Sequence, residues 1–453
     1  MDLAFSSATQ LAAAIRARRV SATEVLDAHL KRIDERNPAL NAIVTIDADA
    51  ARDRARQADA AIARGITWGP LHGVPFTLKD AFATAGMRTT VGFPPFDHVP
   101  RDDSAVAARL KAAGGILVGK TNVAELLADF QTNNSIFGRT NNPWDVARTP
   151  GGSSGGAAAA VASGMTPFDV GTDLSGSIRI PAHFCGVFGF KPTEHRVSLA
   201  GVVPDPHKSP RTVRIMSCVG PIARTVDDLA LLYRIIAGPD PRDTDVSPVA
   251  IAEIPSVEVA GLRIAVASSF GGLPLADDIR DAVDALAQYF RDLGAVVEEA
   301  DLPIANLTED LSRSGALIGM MLGAAQPDQK RPPSLADYMK ALEQRDASIA
   351  AWDAFFDQWD VLLCAPSMTS AFPHCRPGSP LTVNGASVDY LTVSAHSAAF
   401  NYSGNPAVVL PCGLDRGRLP IGVQLVGKRW DDSRLLGIAG AAAEFTGAFQ
   451  PPP

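Results

Sequence analysis

Residues 149–164 read TPGGSSGGAAAAVASG, a stretch with almost no side chain large enough to pack, carry charge or recognise a ligand. Three uses of such a stretch compete: a flexible linker, a phosphate cradle, or backbone that must lie close to a reacting group. The linker fails first. Residues 157–162 are a strong helix former closed by Gly164, so the segment is a turn leading into a helix. The N-terminus of such a helix offers unpaired N–H groups and the positive end of a dipole.

Outward from this stretch the chain alternates. Ser21-Ala-Thr-Glu24 is a capping-box pattern that opens an amphipathic helix with apolar Val25, Leu26, Leu30 and Ile33. A second helix covers about 47–63 and ends at Gly65. Residues 74–79 read as a short strand, 105–113 as a helix stopped by Gly114-Gly115, and 116–118 as a buried strand. Downstream come a capped helix from Thr225 to Gly238-Pro239, a strand at 262–267, a helix at 277–293 and a strand at 361–364. Late strands at 408–410 and 423–426 precede a helix over about 433–444. Strands alternating with helices predict one large α/β domain. The Pro-rich pieces 201–211, 326–334 and 366–380 read as surface loops available to shape a pocket.

Bulk properties exclude several classes of function. The 453 residues are 46% hydrophobic and 20% charged, enough to build a sizeable core without disulfides. A net charge of -8 argues against a nucleic-acid-binding surface, whose footprint is a basic patch. The cysteines (Cys185, Cys218, Cys364, Cys375 and Cys412) are scattered and never in CxxC spacing, so neither a disulfide framework nor a metal site is signalled. No cofactor is expected. Without an apolar signal region or an apolar run of about 18 residues, the sequence predicts a cytoplasmic protein that is neither secreted nor membrane-spanning.

Two glycine-rich signatures are met letter for letter. Residues 114–121, GGILVGKT, satisfy the phosphate-loop pattern, but the strand-like ILV lies inside the loop and a helix precedes it. Gly114-Gly115 therefore reads as a helix cap and ILV as the entry to a sheet. The opening stretch also satisfies GxSxG twice, centred on Ser153 and Ser154. A hydrolase elbow of that kind would draw its base from His183, His195, His207, His374 or His396. Yet the preceding RTNNPWDVARTP is no strand, and an elbow wants one serine on a strand-to-helix turn.

Residues 171–181, GTDLSGSIRIP, form a second Gly/Ser turn ending at Ser177 beside Ile178-Arg179. A helix of about eight residues and a returning strand bring Ser153 and Ser177 to the same sheet edge. The base they lack has a candidate in Lys79, at the end of strand 74–79 and followed by Asp80. Alone, a lysine at a strand end reads as a snorkelling surface residue. Held in an apolar site beside two serine turns, it loses preference for its charged form and can act as a base near neutral pH.

The blocks LHGVPFTLKDAF, GGILVGKTN, FGRTNNPW, TPGGSSGGAAAAVASG and GTDLSGSIRIPAHFCGVFGFKPT, followed near the C-terminus by FNYSGNPAVVLPCG and LPIGVQLVG, resemble the amidase signature family. The likeness spans nearly the whole chain and is weakest over about 240–260 and 300–390. It implies the α/β amidase signature fold, a large mixed twisted β-sheet core covered by α-helices on both faces. One domain would cover 1–453, with N-terminal helices at about 7–64, a motif core at about 70–240 and variable substrate loops at about 300–390.

The resemblance further implies a Ser-Ser-Lys triad: Ser177 as nucleophile, Ser153 as bridging serine, held by a cis peptide bond in the family, and Lys79 as base. Backbone N–H groups of Leu174, Ser175, Gly176 and Ser177 would hold the oxyanion, one such donor being worth ~3 kcal/mol of transition-state stabilisation. Asp173, Arg179 and Ser154 are implied as supports behind the reacting groups, a purely structural Asp173–Arg179 ion pair being the alternative. The chain departs from the family at Asp169, where a small residue is usual, and at Ser175, where Gly or Ala is. A positive φ at Ser175 would cost about 1 kcal/mol.

What the resemblance implies for function is a stand-alone hydrolase of small apolar or aryl amides, extending to esters and carbamates (urethanes), working as a monomer or homodimer without nucleic acid or membrane. The alternative is the glutamine-hydrolysing subunit of a tRNA-dependent amidotransferase complex, which passes ammonia to a partner. Such subunits resemble each other in a Tyr/Asp/Gly-rich stretch ahead of the glutamine pocket, whereas the comparable LSRSGALIGMMLGAAQ here is apolar. A fatty amide hydrolase fits less well without a membrane-anchoring segment. Intact triad positions disfavour a non-catalytic scaffold.

Overall fold

Side-chain caps start the N-terminal helices. Ser7 and Ser21 form reciprocal capping boxes with Gln10 and Glu24, so α1 (Ala8–Arg16) and α2 (Ala22–Leu40) begin immediately after them. After β1 (Ile43–Ile46), Asp47 caps α3 (Ala48–Ala63). The computed structural model describes residues 1–202, 213–268, 270–304, 306–323 and 333–453. The loops expected at 201–211 and 326–334 lie largely outside them, as does His207.

The chain continues through β2 (Pro75–Lys79), α4 (Ala105–Ala112), β3 (Ile116–Thr121) and the short pair β4 (Asn133–Asn134) and β5 (Gly138–Arg139). Its centre is α5 (Gly155–Ala162), β6 (Phe168–Asp173), α6 (Arg179–Cys185), β7 (Phe188–Lys191) and β8 (Cys218–Ala223). Then come α7 (Val226–Ile236), β9 (Arg263–Ala267), α8 (Asp277–Asp292), β10 (Val296–Glu299), α9 (Leu307–Gly323) and α10 (Leu335–Phe356). The last elements are β11 (Val361–Cys364), the hairpin β12 (Leu381–Val383) and β13 (Ala386–Val388), α11 (Ala395–Tyr402), β14 (Ala407–Leu414), β15 (Pro420–Val426) and α12 (Asp432–Thr446).

Eight strands form a mixed sheet in the order β10-β9-β11-β15-β14-β7-β8-β6. The β10/β9 and β9/β11 pairs are parallel and the others antiparallel. Both faces of this sheet are covered, as its alternating side chains show. Ile264, Val266, Val361 and Leu363 point into one core with α8 and α12. Their neighbours Ala265, Ala267, Leu362 and Cys364 point into another with Trp352, Phe355 and Phe356 of α10 and Phe400 of α11. Trp352 stacks or edges against these three rings at centroid distances of 5.1–5.9 Å, each such pair adding about 0.5–1.5 kcal/mol beyond burial. The α/β architecture expected of the sequence is the one observed.

A three-stranded sheet, β1-β3-β2, stands beside the large one. Between the two lies α5, every residue of it buried, touching β1, β2 and β3 on one side and β6 and β8 on the other. This explains its small residues. A Cβ on Gly156 would sit 2.5 Å from both the N and the O of Asn122, so any side chain would force the sheets apart. The phosphate-loop letters belong to the same small sheet: Lys120, next to last in β3, is fully buried, donating to Phe82 O and Thr89 Oγ1 and lying 3.7 Å from Asp80.

The segment 300–390, expected as loops, contains α9 and α10. In α10 the buried positions are Arg345, Trp352, Phe355 and Phe356, so its first half shows little of the apolar stripe that announces a helix.

Candidate active site

All five residues of β2 are buried, which delivers Lys79 to the interior with no exposed surface. Its Nζ lies 2.8 Å from Ser153 Oγ, 2.7 Å from Ser154 Oγ, 2.7 Å from Thr172 Oγ1 and 3.4 Å from Thr172 O. Every partner is an uncharged oxygen. Loss of water therefore penalises the ammonium without a contacting counter-ion, and burial pushes Lys79 down to about 7 against the weaker pull of Asp173 and Asp169.

The Ser153 turn is set by its own backbone and by Thr132. The Gly152–Ser153 peptide is cis. Thr132 Oγ1 donates to Gly151 O at 2.9 Å and accepts from Gly155 N–H at 3.0 Å. The two serine turns meet where Ser154 N–H donates to Ser177 O at 3.2 Å. The structure thus joins Lys79 to Ser153 through their side chains and brings Ser177 against the same turn through its backbone carbonyl, with no hydrogen bond recorded between the Ser153 and Ser177 hydroxyls among the described residues. Ser154 bonds to the same lysine.

The turn between β6 and α6 is organised by the Asp173 carboxylate. Its Oδ1 accepts from Gly176 N–H at 2.8 Å and Arg179 Nη2 at 2.9 Å, and its Oδ2 from Ile178 N–H at 3.0 Å and Arg179 Nε at 3.1 Å. Burial would raise this carboxyl, but the charge and hydrogen bonds of Arg179 outweigh it and hold Asp173 well below the usual carboxylate range. One expectation is corrected here. Gly176 N–H is committed to Asp173 and is not free to hold an oxyanion, which leaves the N–H groups of Leu174, Ser175 and Ser177 without a hydrogen-bond partner among the described residues.

The strain considered at Ser175 does not arise, because the left-handed position is its neighbour Gly176, at φ +101°. A Cβ on Gly176 would also lie 2.7 Å from Ser397 Cβ. The Ser175 hydroxyl points aside, 3.5 Å from Ser394 Oγ.

Asp169 is fully buried and joins the two sheets. Its Oδ2 accepts from Thr77 Oγ1 of β2 at 2.6 Å and Thr121 Oγ1 of β3 at 3.1 Å, and its Oδ1 has no partner among the described residues. Burial pushes this carboxyl up to about 7 despite the two threonines. No histidine of the described residues bonds to any of the three serines. His183 is held by Thr369 O and Gly422 N, and His396 packs edge-on to Phe270.

Two members of the site carry no sequence signal of their own. Thr172 sits in an all-buried strand, and Asn401 is one polar residue in the apolar AAFNYSG run. Asn401 Nδ2 donates to Asp173 O at 2.9 Å and Met216 O at 3.0 Å, while its Oδ1 accepts from Arg179 Nη2 at 2.6 Å. Beside this network, Leu174 packs in an apolar cluster with Met216, Leu317 and Tyr402 and with Tyr338 and Leu342 of α10.

The chain matches the Amidase family model over residues 24–321 and 317–436. It is 36% identical to a Glutamyl-tRNA(Gln) amidotransferase subunit from Synechococcus sp. (strain CC9605), over 93% of this chain and 92% of that relative. Among solved structures it is similar to one from a vestigial protein complex described as revealing the evolutionary origins of an s-triazine catabolic enzyme. That match has a TM-score of 0.87 and 30% identity, and covers 98% of this chain and 100% of the other. A bacterial aryl acylamidase of the amidase signature family gives a TM-score of 0.83 at 28% identity, covering 98% of this chain and 96% of the other.

Proposed function

The chain belongs to the amidase signature family of enzymes acting on carbon–nitrogen bonds, and on that footing we propose that Ser177 is the nucleophile, Ser153 the proton relay and Lys79 the base of a serine amidase. The observation that carries this reading is a lysine with no exposed surface whose hydrogen-bond partners are all neutral, two of them serine hydroxyls. In its neutral form the Lys79 lone pair accepts the Ser153 proton while Ser153 accepts that of Ser177, whose oxygen attacks the carbonyl. The N–H groups of Leu174, Ser175 and Ser177 receive the developing oxyanion. The relay reversed protonates the leaving amine, and water then hydrolyses the acyl-enzyme by the same route.

Only neutral Lys79 can start this sequence. With its titration near 7, kcat/KM is expected to rise with pH through that value and to level off about one unit above it. A pH–rate profile checks this, and a rate independent of pH across 7 contradicts it.

Apolar surroundings bear on the substrate. Half-buried Leu174 of the Ser177 turn packs with half-buried Ile318, Tyr338 and Leu342 over the fully buried Met216, Leu317 and Tyr402, which suits an apolar or aryl acyl group in an amide, ester or carbamate. A second reading, glutamine hydrolysis as part of an amidotransferase that hands ammonia to a partner chain, has the stronger support among curated relatives. Purified protein assayed against glutamine, an anilide and an aryl carbamate separates the readings. Turnover of the anilide or carbamate at least tenfold above glutamine is the expected result, and turnover of glutamine alone establishes the second reading.

A further inference from the structure

Between α10 and the oxyanion turn lies a buried ion pair that the proposed reaction leaves unused. Glu194 follows β7 and Arg345 lies in α10; each is about 6% exposed, and Arg345 Nη2 donates to Glu194 Oε2. Both side chains also grip backbone. Glu194 Oε1 accepts from Met216 N–H, and Arg345 Nε donates to Tyr402 O at 2.8 Å. Glu194 N–H donates to Gly404 O at 3.2 Å, and His195 Nε2 stands 3.5 Å from the carboxylate.

The residues gripped lie directly behind the Ser177 turn. Fully buried Met216 and Tyr402 form with Leu317 the apolar cluster against which Leu174 packs, and α10 contributes Tyr338, Ala341 and Leu342, within two turns before Arg345. Met216 has φ +69°, a conformation a non-glycine residue holds only when its surroundings fix it. Its carbonyl accepts from Asn401 Nδ2, which also donates to Asp173 O. A continuous series of polar contacts therefore runs from α10 through Arg345, Glu194, Met216 and Asn401 to the turn that carries Ser177. The first half of α10 has no comparable anchor among the described residues: Leu335 is 76% and Met339 48% exposed.

We propose that Glu194 and Arg345 are positioning residues that hold α10 and Met216 against Leu174 of the Ser177 turn and so determine which acyl groups reach Ser177. The inference rests on Ser177 being the nucleophile. It assigns the pair no contact with the reacting atoms, so the chemical step on a small substrate does not depend on it, whereas occupancy by a long apolar group does.

The test uses two fluorophosphonates, one with a methyl and one with a long alkyl substituent, and two amides with acetyl and long-chain acyl groups. For Arg345→Met, labelling by the long-chain probe is expected to slow at least tenfold while labelling by the methyl probe changes less than twofold. The long-chain amide should show a raised KM with kcat nearly unchanged. Arg345→Lys, which keeps the charge next to Glu194, should recover part of the loss. Glu194→Gln keeps an oxygen for Met216 N–H while removing the ion pair, and serves as the second variant if Arg345→Met fails to fold; the same chain-length split is expected of it. Equal slowing of both probes, or no slowing of either, overturns the proposal. Absence of Ser177 labelling in the parent enzyme would instead overturn the nucleophile assignment.

Discussion

Ser177→Ala is expected to lower amide hydrolysis by at least about 10⁴-fold, the scale set by removing a nucleophile from a serine hydrolase. The loss should be catalytic and not structural. Ser177 is linked to the rest of the site by its carbonyl, which accepts from Ser154 N–H, and alanine keeps that bond. The Asp173 carboxylate that shapes the turn bonds to Gly176, Ile178 and Arg179, so the turn does not need the Ser177 hydroxyl. A melting temperature close to that of the parent with turnover near background is the predicted pair of results. A variant that retains a tenth of the parent rate contradicts the assignment.

Lys79→Ala is expected to cost about 10²–10⁴-fold in amide turnover, the range for a positioned acid–base group. The loss on a matched ester should be distinctly smaller. An amine leaves only after it gains a proton, which the relay through Ser153 delivers, while an alkoxide is a better leaving group and needs less help. Truncation also leaves the hydroxyls of Ser153, Ser154 and Thr172 around a void. Lys79→Met, which fills that space without an amine, separates loss of the base from loss of packing. Equal losses on amide and ester for both variants would argue against a proton relay.

Much of this site is legible in the sequence because its demands are local. Small residues at 151–156 and 171–177 are required by backbone crowding, and the strand–helix alternation places the two turns on one edge. Lys79 can be read as a strand-end lysine, but its burial depends on β3, α5 and β6 closing around β2, which no local pattern encodes. The strands β7 and β8 are missed for a related reason: every residue in them is buried, so the period-2 alternation that marks a half-exposed strand is absent.

Long-range polar contacts are the least legible part. Asn401 reaches Asp173 across 228 positions, and Glu194 meets Arg345 across 151. Neither residue is distinguished by its neighbours in sequence. The same limit explains why the motif alone puts Gly176 N–H in the oxyanion hole: it shows a turn of small residues, while the Asp173 carboxylate that occupies this donor is visible only in three dimensions.

The proposed mechanism turns on Ser177, and neither serine of the GGSSGG turn, forming the covalent bond. Peptide mapping of the parent enzyme after reaction with a fluorophosphonate reads this out directly. The expected result is a single phosphonylated peptide carrying the adduct on Ser177, formed at a rate that rises with pH through about 7. An adduct on Ser153 or Ser154, or none at all, would contradict it.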